Sequence, residues 1–425
     1  MAGDDTSPDR PTRRNSRKHE RAGSRRGSEQ SERTRRDYLK YSGAVLGGTL
    51  LAGCTGNSNG EAAETTTESE TRTTTETATQ TPEEDTSYSV SMAPVGEVTF
   101  DAPPESWIAY DGGYADMGVA LGKCDSMTGI GGAGRYYTYY YDELPGVSID
   151  RDTIENNQLS DAGMSKEIFY ELDNEVHVMD PEMLKNWFGW KQEDVDEITN
   201  NVAPFVGNLN FRREDEWHNY RYYTLYEAFE KVAELFQEQD RYEAFETLHD
   251  NFIANIQRQL PTADERPNVL LVYAGSDRPE EFSPYRLNDK GTSKKQWNDL
   301  GVGDALAGTG IEGLSTTDRG KIDYETMLEI DPDVIMLRAH ERKSATEFRE
   351  TVLEFMRSHP VAKELSAVQN GRVYRGGYLF QGPIHNLFLT ERGAKQLYPD
   401  VFGEVTGDAE LFDRQRVADI VTGEF

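Results

Sequence analysis

The stretch that most constrains the fold lies between Gly207 and Pro261, where no glycine or proline occurs. Such a run is typical of helical sequence, because glycine and proline are the residues that most often end helices. It contains two apolar stripes at helical spacing: one ends at Phe236, and the next begins at Phe245. These nine residues correspond to roughly 900° of helical rotation. The stripes therefore face opposite sides, and one straight helix cannot bury both.

We therefore predict two helices, separated near Gln239 and Asp240. Asp240 is a suitable N-cap for the second helix, and Glu243 stands three residues later as a capping-box partner. The second helix, 240–260, would be about 30 Å long. Because strand and turn sequence lies on both sides of it, we interpret it as a connector between an N-terminal lobe, 88–239, and a C-terminal lobe, 261–425.

Alternating strand-like and helical segments predict an α/β fold on both sides of the connector. Asn268–Tyr273 and Asp333–Leu337 are continuous apolar runs, typical of strands covered on both faces of a parallel sheet. Helices are expected at Tyr114–Leu121, Pro181–Trp187, Glu193–Asn201, Trp297–Leu306, Asp323–Ile330, Ser344–Arg357 and Ile384–Leu397. Further strands are expected at Val95–Phe100, Ser106–Tyr110, Thr128–Ile130, Tyr136–Tyr141, Glu167–Tyr170 and Glu175–Met179.

Residues 1–53 have the features of an export signal. Paired Arg35 and Arg36 precede an apolar run, Gly43 to Ala52, which is too short to span a bilayer about 30 Å thick but suits a signal-peptide core. The run ends in Leu51-Ala52-Gly53-Cys54, and the whole resembles a twin-arginine lipoprotein signal. The resemblance implies that Cys54 is the lipidated first residue of the mature protein, held at the outer face of the cytoplasmic membrane. The long basic lead, 1–34, leaves the true start codon open.

Residues 54–87 predict a disordered tether, because positions 61–86 hold eleven Thr and eight Asp/Glu and almost nothing that could form a core. With Cys54 lipidated, Cys124 is the only other cysteine, so no intramolecular disulfide is expected.

The formal net charge of −31 is unevenly distributed: residues 1–53 carry 12 Lys/Arg against 7 Asp/Glu, and the rest carry 33 against 69. A surface that acidic repels nucleic acid, which we therefore exclude as a partner. It suits a protein kept soluble in concentrated salt, as in extreme halophiles, although a merely acidic mesophilic surface is the alternative.

Motifs in the C-terminal half occur in an order that points to a known family. They are Trp297-Asn298-Asp299-Leu300-Gly301, Ile322-Asp323-Tyr324-Glu325, Asp331-Pro332-Asp333-Val334-Ile335 and Ala367-Val368-Gln369-Asn370-Gly371-Arg372-Val373-Tyr374. Together they resemble the C-terminal lobe of the substrate-binding proteins of iron–siderophore, haem and vitamin B12 ABC importers. Gly113-Tyr114-Ala115-Asp116 and Leu144-Pro145-Gly146 are similar to N-lobe motifs of the same family, whereas 151–211 matches poorly.

The resemblance implies two Rossmann-like lobes joined by the connector helix, with a ligand in the cleft and little lobe motion. It implies a lipoprotein that captures a ferric siderophore and delivers it to an ABC transporter permease, with no catalysis and no cofactor; corrinoid and haem remain open as ligands. We expect a monomer. A membrane-anchored structural or adhesive surface protein is the alternative from another class, but it would not explain the C-lobe motifs.

Ligands of open α/β lobes bind loops at the carboxyl ends of the strands. An anionic, partly aromatic ligand needs fixed positive charge and flat apolar walls. We therefore expect the ligand site to consist of Tyr114, Arg135, Tyr136, Tyr137, Arg338, His340 and Tyr378. The alternative for each arginine is a surface ion pair, and for His340 a surface loop position.

A bare-metal site is not expected, because few of the seven histidines lie near the cleft. No G-x-S-x-G, H-E-x-x-H, P-loop or C-x-x-C pattern indicates an enzyme. The glycine cluster 129–134 is followed by tyrosine-rich sequence rather than a helix, so we interpret it as a loop that lets the backbone approach the ligand.

The resemblance also implies one acidic permease-docking residue on each lobe. The matching positions are Asp150, soon after Leu144-Pro145-Gly146, and Glu325. Both positions are also expected to stabilise a helix N-terminus, which is the alternative reading. Asp152 and Asp323 are near substitutes.

Overall fold

The computed structural model describes residues 86–160, 163–213, 215–289, 291–311, 320–406 and 409–425. The predicted export signal, Cys54 and nearly all of the tether lie outside these ranges. Within them, none of the helices combines the length and the hydrophobicity that crossing a bilayer requires.

A parallel three-stranded sheet carries the N-terminal lobe. Its central strand β3 (Trp107–Ala109) pairs with β4 (Met127–Ile130) on one side and β5 (Val176–Val178) on the other. All three residues of β3 are buried, as expected for a strand covered on both faces. An antiparallel hairpin precedes it, formed by β1 (Tyr88–Met92) and β2 (Gly96–Phe100). The helices of this lobe are α1 (Gly112–Ala120), α2 (Arg151–Asn156), α3 (Lys166–Leu172), α4 (Pro181–Phe188) and α5 (Gln192–Asn201).

The glycine- and proline-free stretch forms two helices, α6 (Leu225–Phe236) and α7 (Gln239–Gln257). Gln237 ends α6 in the left-handed region at φ 56°, so the chain changes direction close to the predicted break. The predicted N-cap was wrong: Glu238 occupies that position without a capping side-chain hydrogen bond, and Asp240 lies in the first turn of α7. The helix resumes at Gln239, one residue before Asp240, so Asp240 cannot be its cap.

The C-terminal lobe is built on a five-stranded mixed sheet. Its path is β10 (Val373–Arg375), β9 (Val334–Arg338), β6 (Asn268–Tyr273) and β7 (Ser283–Tyr285), and β8 (Gly303–Asp304) also pairs with β6. Only β7 runs antiparallel to its neighbour. The helices are α8 (Lys295–Asp299), α9 (Tyr324–Ile330), α10 (Ala345–Phe348), α11 (Glu354–Ser358), α12 (Ser366–Gln369), α13 (Pro383–Leu397), α14 (Pro399–Phe402) and α15 (Arg414–Thr422). A π-helical stretch, Arg349–Leu353, joins α10 to α11.

The architecture confirms the predicted α/β fold, but three predicted elements were wrong. Tyr136–Tyr141 is not a strand; it runs into a 3₁₀ helix, Tyr139–Glu143, whose tyrosines pack on the opposite lobe. Glu167–Tyr170 lies inside α3. The helix expected at Trp297–Leu306 stops at Asp299, because Gly301 adopts φ 62° and the chain enters β8.

The two lobes meet closely where α1 packs against α13, a contact that we call the α1–α13 seam. A Cβ atom on Gly382 would lie 2.5 Å from the carbonyl oxygen of Gly113, so only glycine allows this approach. Within the seam the buried carboxylate of Asp116 accepts hydrogen bonds from the backbone N–H of His385 (3.0 Å) and the hydroxyl of Tyr141 (2.6 Å). Burial raises the pKa of Asp116 to about 7. The seam therefore fixes the lobes through backbone contact and a shared buried carboxyl group.

Candidate ligand-binding cleft

A cavity of about 340 Å³ lies between the lobes at the carboxyl ends of their strands. Tyr110 directly follows β3, Tyr273 ends β6, Arg338 ends β9 and Gly377 follows β10. The described residues that line it are Tyr110, Arg135, Tyr137, Trp187, Phe211, Arg212, Tyr273, Tyr285, Ser293, Lys294, Arg338, Ala339, Gly377, Leu379 and Phe380. We call this cavity the cleft.

Four cationic side chains and no acidic one occur among these lining residues. Carboxylates behind the wall pair with cations of the lining. Arg212 forms a bidentate pair with Asp215 (2.7 and 2.6 Å), and Lys294 pairs with Asp289. The cleft is therefore electropositive in a chain whose net charge is strongly negative.

Arg338 is the most deeply placed of the four, with only 2% of its surface exposed. It ends β9, which is held by parallel pairing on both edges, so the strand fixes the direction of the side chain. Its guanidinium donates to the carbonyl of Ser293 and lies 4.8 Å from the ring centroid of Tyr285. The following residue, Ala339, has φ 86°, a strained conformation for an alanine that turns the backbone along the cleft wall.

Arg135 lies across the cleft in a 3₁₀ turn, Ala133–Arg135, in the loop that follows β4. Its side chain is exposed, and among the described residues it makes no hydrogen bond and no ion pair. Arg135 can therefore pair with an anionic ligand without first breaking an internal contact.

Aromatic rings form the remaining walls of the cleft. Phe380 lies edge-to-face against Phe211 (4.8 Å) and Tyr110 (6.2 Å), and Arg212 lies 4.7 Å from the ring centroid of Trp187. Burial raises the pKa of Tyr110 to about 12, so its hydroxyl is protonated and can donate a hydrogen bond. The cleft thus combines fixed positive charge with flat apolar surfaces.

The structure places three of the seven predicted ligand-site residues on the cleft wall: Arg135, Tyr137 and Arg338. Tyr114 is buried elsewhere, where its hydroxyl donates to the carbonyl of Asn208 (2.8 Å) and accepts from the N–H of the same residue (2.9 Å).

The other three predicted residues also lie outside the lining. Tyr136 is buried, and its hydroxyl is hydrogen bonded to that of Tyr141 (2.9 Å). Tyr378 is buried one layer behind the wall, where it stacks on Tyr137. His340 packs against Phe348 in the core of its lobe, and burial lowers its pKa, so the ring is neutral.

Eight aromatic or cationic cleft residues were not predicted: Tyr110, Trp187, Phe211, Arg212, Tyr273, Tyr285, Lys294 and Phe380. Tyr110 and Tyr273 stand at strand ends, so the rule that selected Arg338 could also have selected them. Trp187 and Phe211 belong to the stretch that matches the family poorly, and Arg212 directly follows it. No sequence signal places them at the cleft.

Both predicted docking residues lie at helix starts. Asp150 is the N-cap of α2, and its exposed carboxylate accepts hydrogen bonds from the N–H (3.1 Å) and hydroxyl (2.6 Å) of Thr153, which lower its pKa. Glu325 lies exposed in the first turn of α9, where the capping hydrogen bond is made by Asp323 instead. Asp150 therefore already has a structural role as a helix cap, whereas the cap of α9 is Asp323 rather than Glu325.

Within the described residues, no group of three or more His, Cys, Asp or Glu is arranged to hold a metal ion. The cleft is lined instead by groups that suit an anionic organic ligand.

Comparison with known proteins gives one sequence family, described as periplasmic binding protein, which matches residues 108–377. Among solved structures, the chain is similar to a periplasmic binding protein from Veillonella parvula, with 15% identity, 73% of this chain and 97% of that chain covered, and a TM-score of 0.53. It is also similar to the petrobactin-binding protein YclQ from Bacillus subtilis, with 16% identity, 73% and 99% coverage, and a TM-score of 0.52. At such identities the likeness shows the fold. No curated protein sequence matches the chain.

Proposed function

Because the chain belongs to the periplasmic binding protein family, whose members carry solutes rather than catalyse reactions, we propose that it captures an anionic ferric siderophore in the cleft and delivers it to an ABC transporter permease. The observation that carries the proposal is the electropositive, aromatic cleft in a chain of net charge −31. Cationic groups on both lobes suit a ligand with several negative groups, and the aromatic rings suit its flat parts.

Two of the cationic positions in this proposal are on opposite lobes. Arg135 stands on the N-terminal lobe without a described partner, and Arg338 enters from the C-terminal lobe at the end of β9. A chelate between them would be held from both sides, with Tyr137 and Trp187 as walls. This arrangement supports an anionic chelate more directly than a neutral one.

The proposed ligand class can be tested by fluorescence titration, because Trp187 lines the cleft and a ferric complex bound beside it should quench its emission. We expect saturable quenching by anionic ferric siderophores at micromolar concentrations or below. The Trp187→Phe variant should bind with little quenching, which controls for effects on distant tryptophans. Saturation by haem or cobalamin, with no response to any ferric siderophore, would contradict the proposal.

We also propose that the protein is anchored through a lipid on Cys54 after twin-arginine export. The proposal is supported by the order of the Arg35-Arg36 pair, the short apolar run and the Leu51-Ala52-Gly53-Cys54 box. The Cys54→Ser variant should move from the membrane fraction to the soluble exported fraction, as measured by immunoblotting of fractionated cells. Recovery of the variant in the membrane fraction at the level of the natural protein would contradict anchoring through Cys54.

For the permease contact, we propose Asp150 and Glu325, one exposed carboxylate at a helix start on each lobe. The Asp150→Ala and Glu325→Ala double variant should reduce uptake of the ligand at least severalfold while its affinity in solution stays unchanged. Asp150 caps the helix by accepting from the N–H of Thr153, so an Asp150→Asn variant, which retains a capping side chain, separates docking from helix stability. Unimpaired uptake by the double variant, or a matching loss of affinity, would contradict the docking assignment.

A further inference from the structure

A second cavity of about 300 Å³ lies beside the cleft, and we call it the side chamber. Its walls include Thr138, Asp142, Arg151 and Glu155 from the N-terminal lobe and Arg342 from the loop after β9. Among the described residues, Tyr137 is the one side chain that lines both the cleft and the side chamber. The two spaces are therefore neighbours that meet at a single aromatic ring.

Tyr137 is held only through its ring. It stacks on Tyr378 with ring centroids 4.6 Å apart, and the guanidinium of Arg342 lies 5.7 Å from its centroid. Within the described part of the chain its hydroxyl makes no hydrogen bond, whereas Tyr136 bonds to Tyr141 (2.9 Å). A half-buried tyrosine with an uncommitted hydroxyl can change rotamer without leaving a buried polar group unsatisfied.

The side chamber offers the cation of Arg342 to a ligand that enters it, and its walls also include the carboxylates of Asp142 and Glu155. Arg151 is paired with Asp142 (2.7 Å), but no carboxylate among the described residues pairs with Arg342. Arg342 donates only to the carbonyls of Ala133 (3.3 Å) and Gly134 (3.5 Å), both at the long limit for a hydrogen bond. An anionic group could replace these weak contacts with a charge-assisted pair.

We propose that Tyr137 is a movable partition that divides one ligand-binding space, and that a chelate too large for the cleft displaces the ring and places an anionic arm against Arg342. The cleft alone, at about 340 Å³, is at the lower end of the range of about 300–1,000 Å³ typical of small-molecule sites. Removing the partition would nearly double the space. The inference rests on the proposed function, since it assigns the size selectivity of the same site.

The test compares two ferric probes, ferric citrate as the compact one and the ferric complex of a hexadentate triscatecholate as the large one, by tryptophan quenching. Tyr137→Ala should raise the affinity for the large probe relative to the compact one by about tenfold, whereas Tyr137→Phe should keep the natural ratio. Arg342→Gln should weaken the large probe by about tenfold and leave the compact one unchanged. Tyr110→Ala is the matched control: it removes the same ring from the cleft wall without joining the side chamber, so it should not favour the large probe.

Equal effects of Tyr137→Ala on both probes, or equal effects of Arg342→Gln on both, would overturn the partition while leaving the proposed function intact. If the natural protein binds neither ferric probe, the proposed function is wrong. The movement of the Tyr137 ring is then tested by NMR in the protein without a ligand. In protein labelled with 3-fluorotyrosine, the ¹⁹F resonance that Tyr137→Phe removes should show exchange between two positions. A single sharp resonance at all temperatures would overturn the inference.

Discussion

Replacement of Arg392 by methionine is expected to lower the free energy of unfolding by about 3–5 kcal/mol, because it leaves the buried carboxylate of Glu341 without its partner. Arg392 donates to both oxygens of Glu341, at 2.8 and 3.0 Å, and both side chains are buried. Burial alone would raise the pKa of Glu341, but Arg392, Arg375 and the N–H of Gly377 together outweigh burial, so the pKa is lowered. Glu341 is therefore ionised and depends on Arg392.

The measurement is urea denaturation of the natural protein, Arg392→Met, Glu341→Gln and the double variant. The double variant should be more stable than the sum of the single losses predicts, since it contains no unpaired buried charge. Lys321→Met is the matched control, because the Lys321–Glu281 pair is 62% and 63% exposed and should cost less than about 1 kcal/mol. A loss below about 1 kcal/mol in Arg392→Met would contradict the prediction.

This ion pair also supports the cleft. Glu341 accepts the backbone N–H of Gly377 (2.8 Å), and Gly377 lines the cleft at the end of β10. The hydroxyl of Tyr139 approaches the second carboxylate oxygen from the other lobe (3.4 Å). We therefore expect variants of Glu341 to weaken ligand binding as well as folding.

Replacement of Arg338 by alanine is expected to weaken binding of an anionic ferric siderophore by about 1.5–3 kcal/mol, roughly 10- to 150-fold in affinity. The guanidinium is buried at the end of β9 and lies over Tyr285, so water screens its charge poorly. Arg338→Lys should be intermediate, because an ammonium keeps the charge but loses the planar contact with the ring. Arg135→Ala should have a smaller effect, since Arg135 is exposed.

Isothermal titration calorimetry with the siderophore identified by fluorescence measures these affinities. Because Arg338 also donates to the carbonyl of Ser293, thermal melting of each variant is needed to show that the protein remains folded at the titration temperature. Unchanged affinity in a folded Arg338→Ala variant would remove this residue from the site.

Much of the architecture could be predicted because it depends on local pattern. The opposite phases of the stripes ending at Phe236 and beginning at Phe245 required two helices, and the structure has them. The continuous apolar run Asn268–Tyr273 is a strand with the predicted bounds. By contrast, Tyr136–Tyr141 has β-like composition, but its rings are ordered by contacts with Tyr378 and Phe388, which lie far away in sequence.

The cleft was predictable where a residue directly ends a strand, as Arg338 does, because strand ends converge at one edge of a sheet. It was not predictable where a residue's place on the cleft wall depends on which groups its hydroxyl or ring contacts in three dimensions. The hydroxyl of Tyr114 donates to the carbonyl of Asn208 instead of binding a ligand, and Tyr378 lies one layer behind the cleft wall. Tyr285 reaches the cleft on an antiparallel strand that the sequence pattern did not indicate.

At the α1–α13 seam, backbone lies against backbone, and the lobes cannot pivot there without separating Gly113 from Gly382. When the lobes of a carrier close on a hinge around the ligand, the cost of ordering the protein offsets part of the binding free energy. In this chain that ordering accompanies folding, so the heat capacity change of binding would reflect the ligand's own contacts rather than burial between lobes. Separating the lobes to release a solute would have to break this backbone contact, so we expect the protein that receives the solute to supply the energy for it.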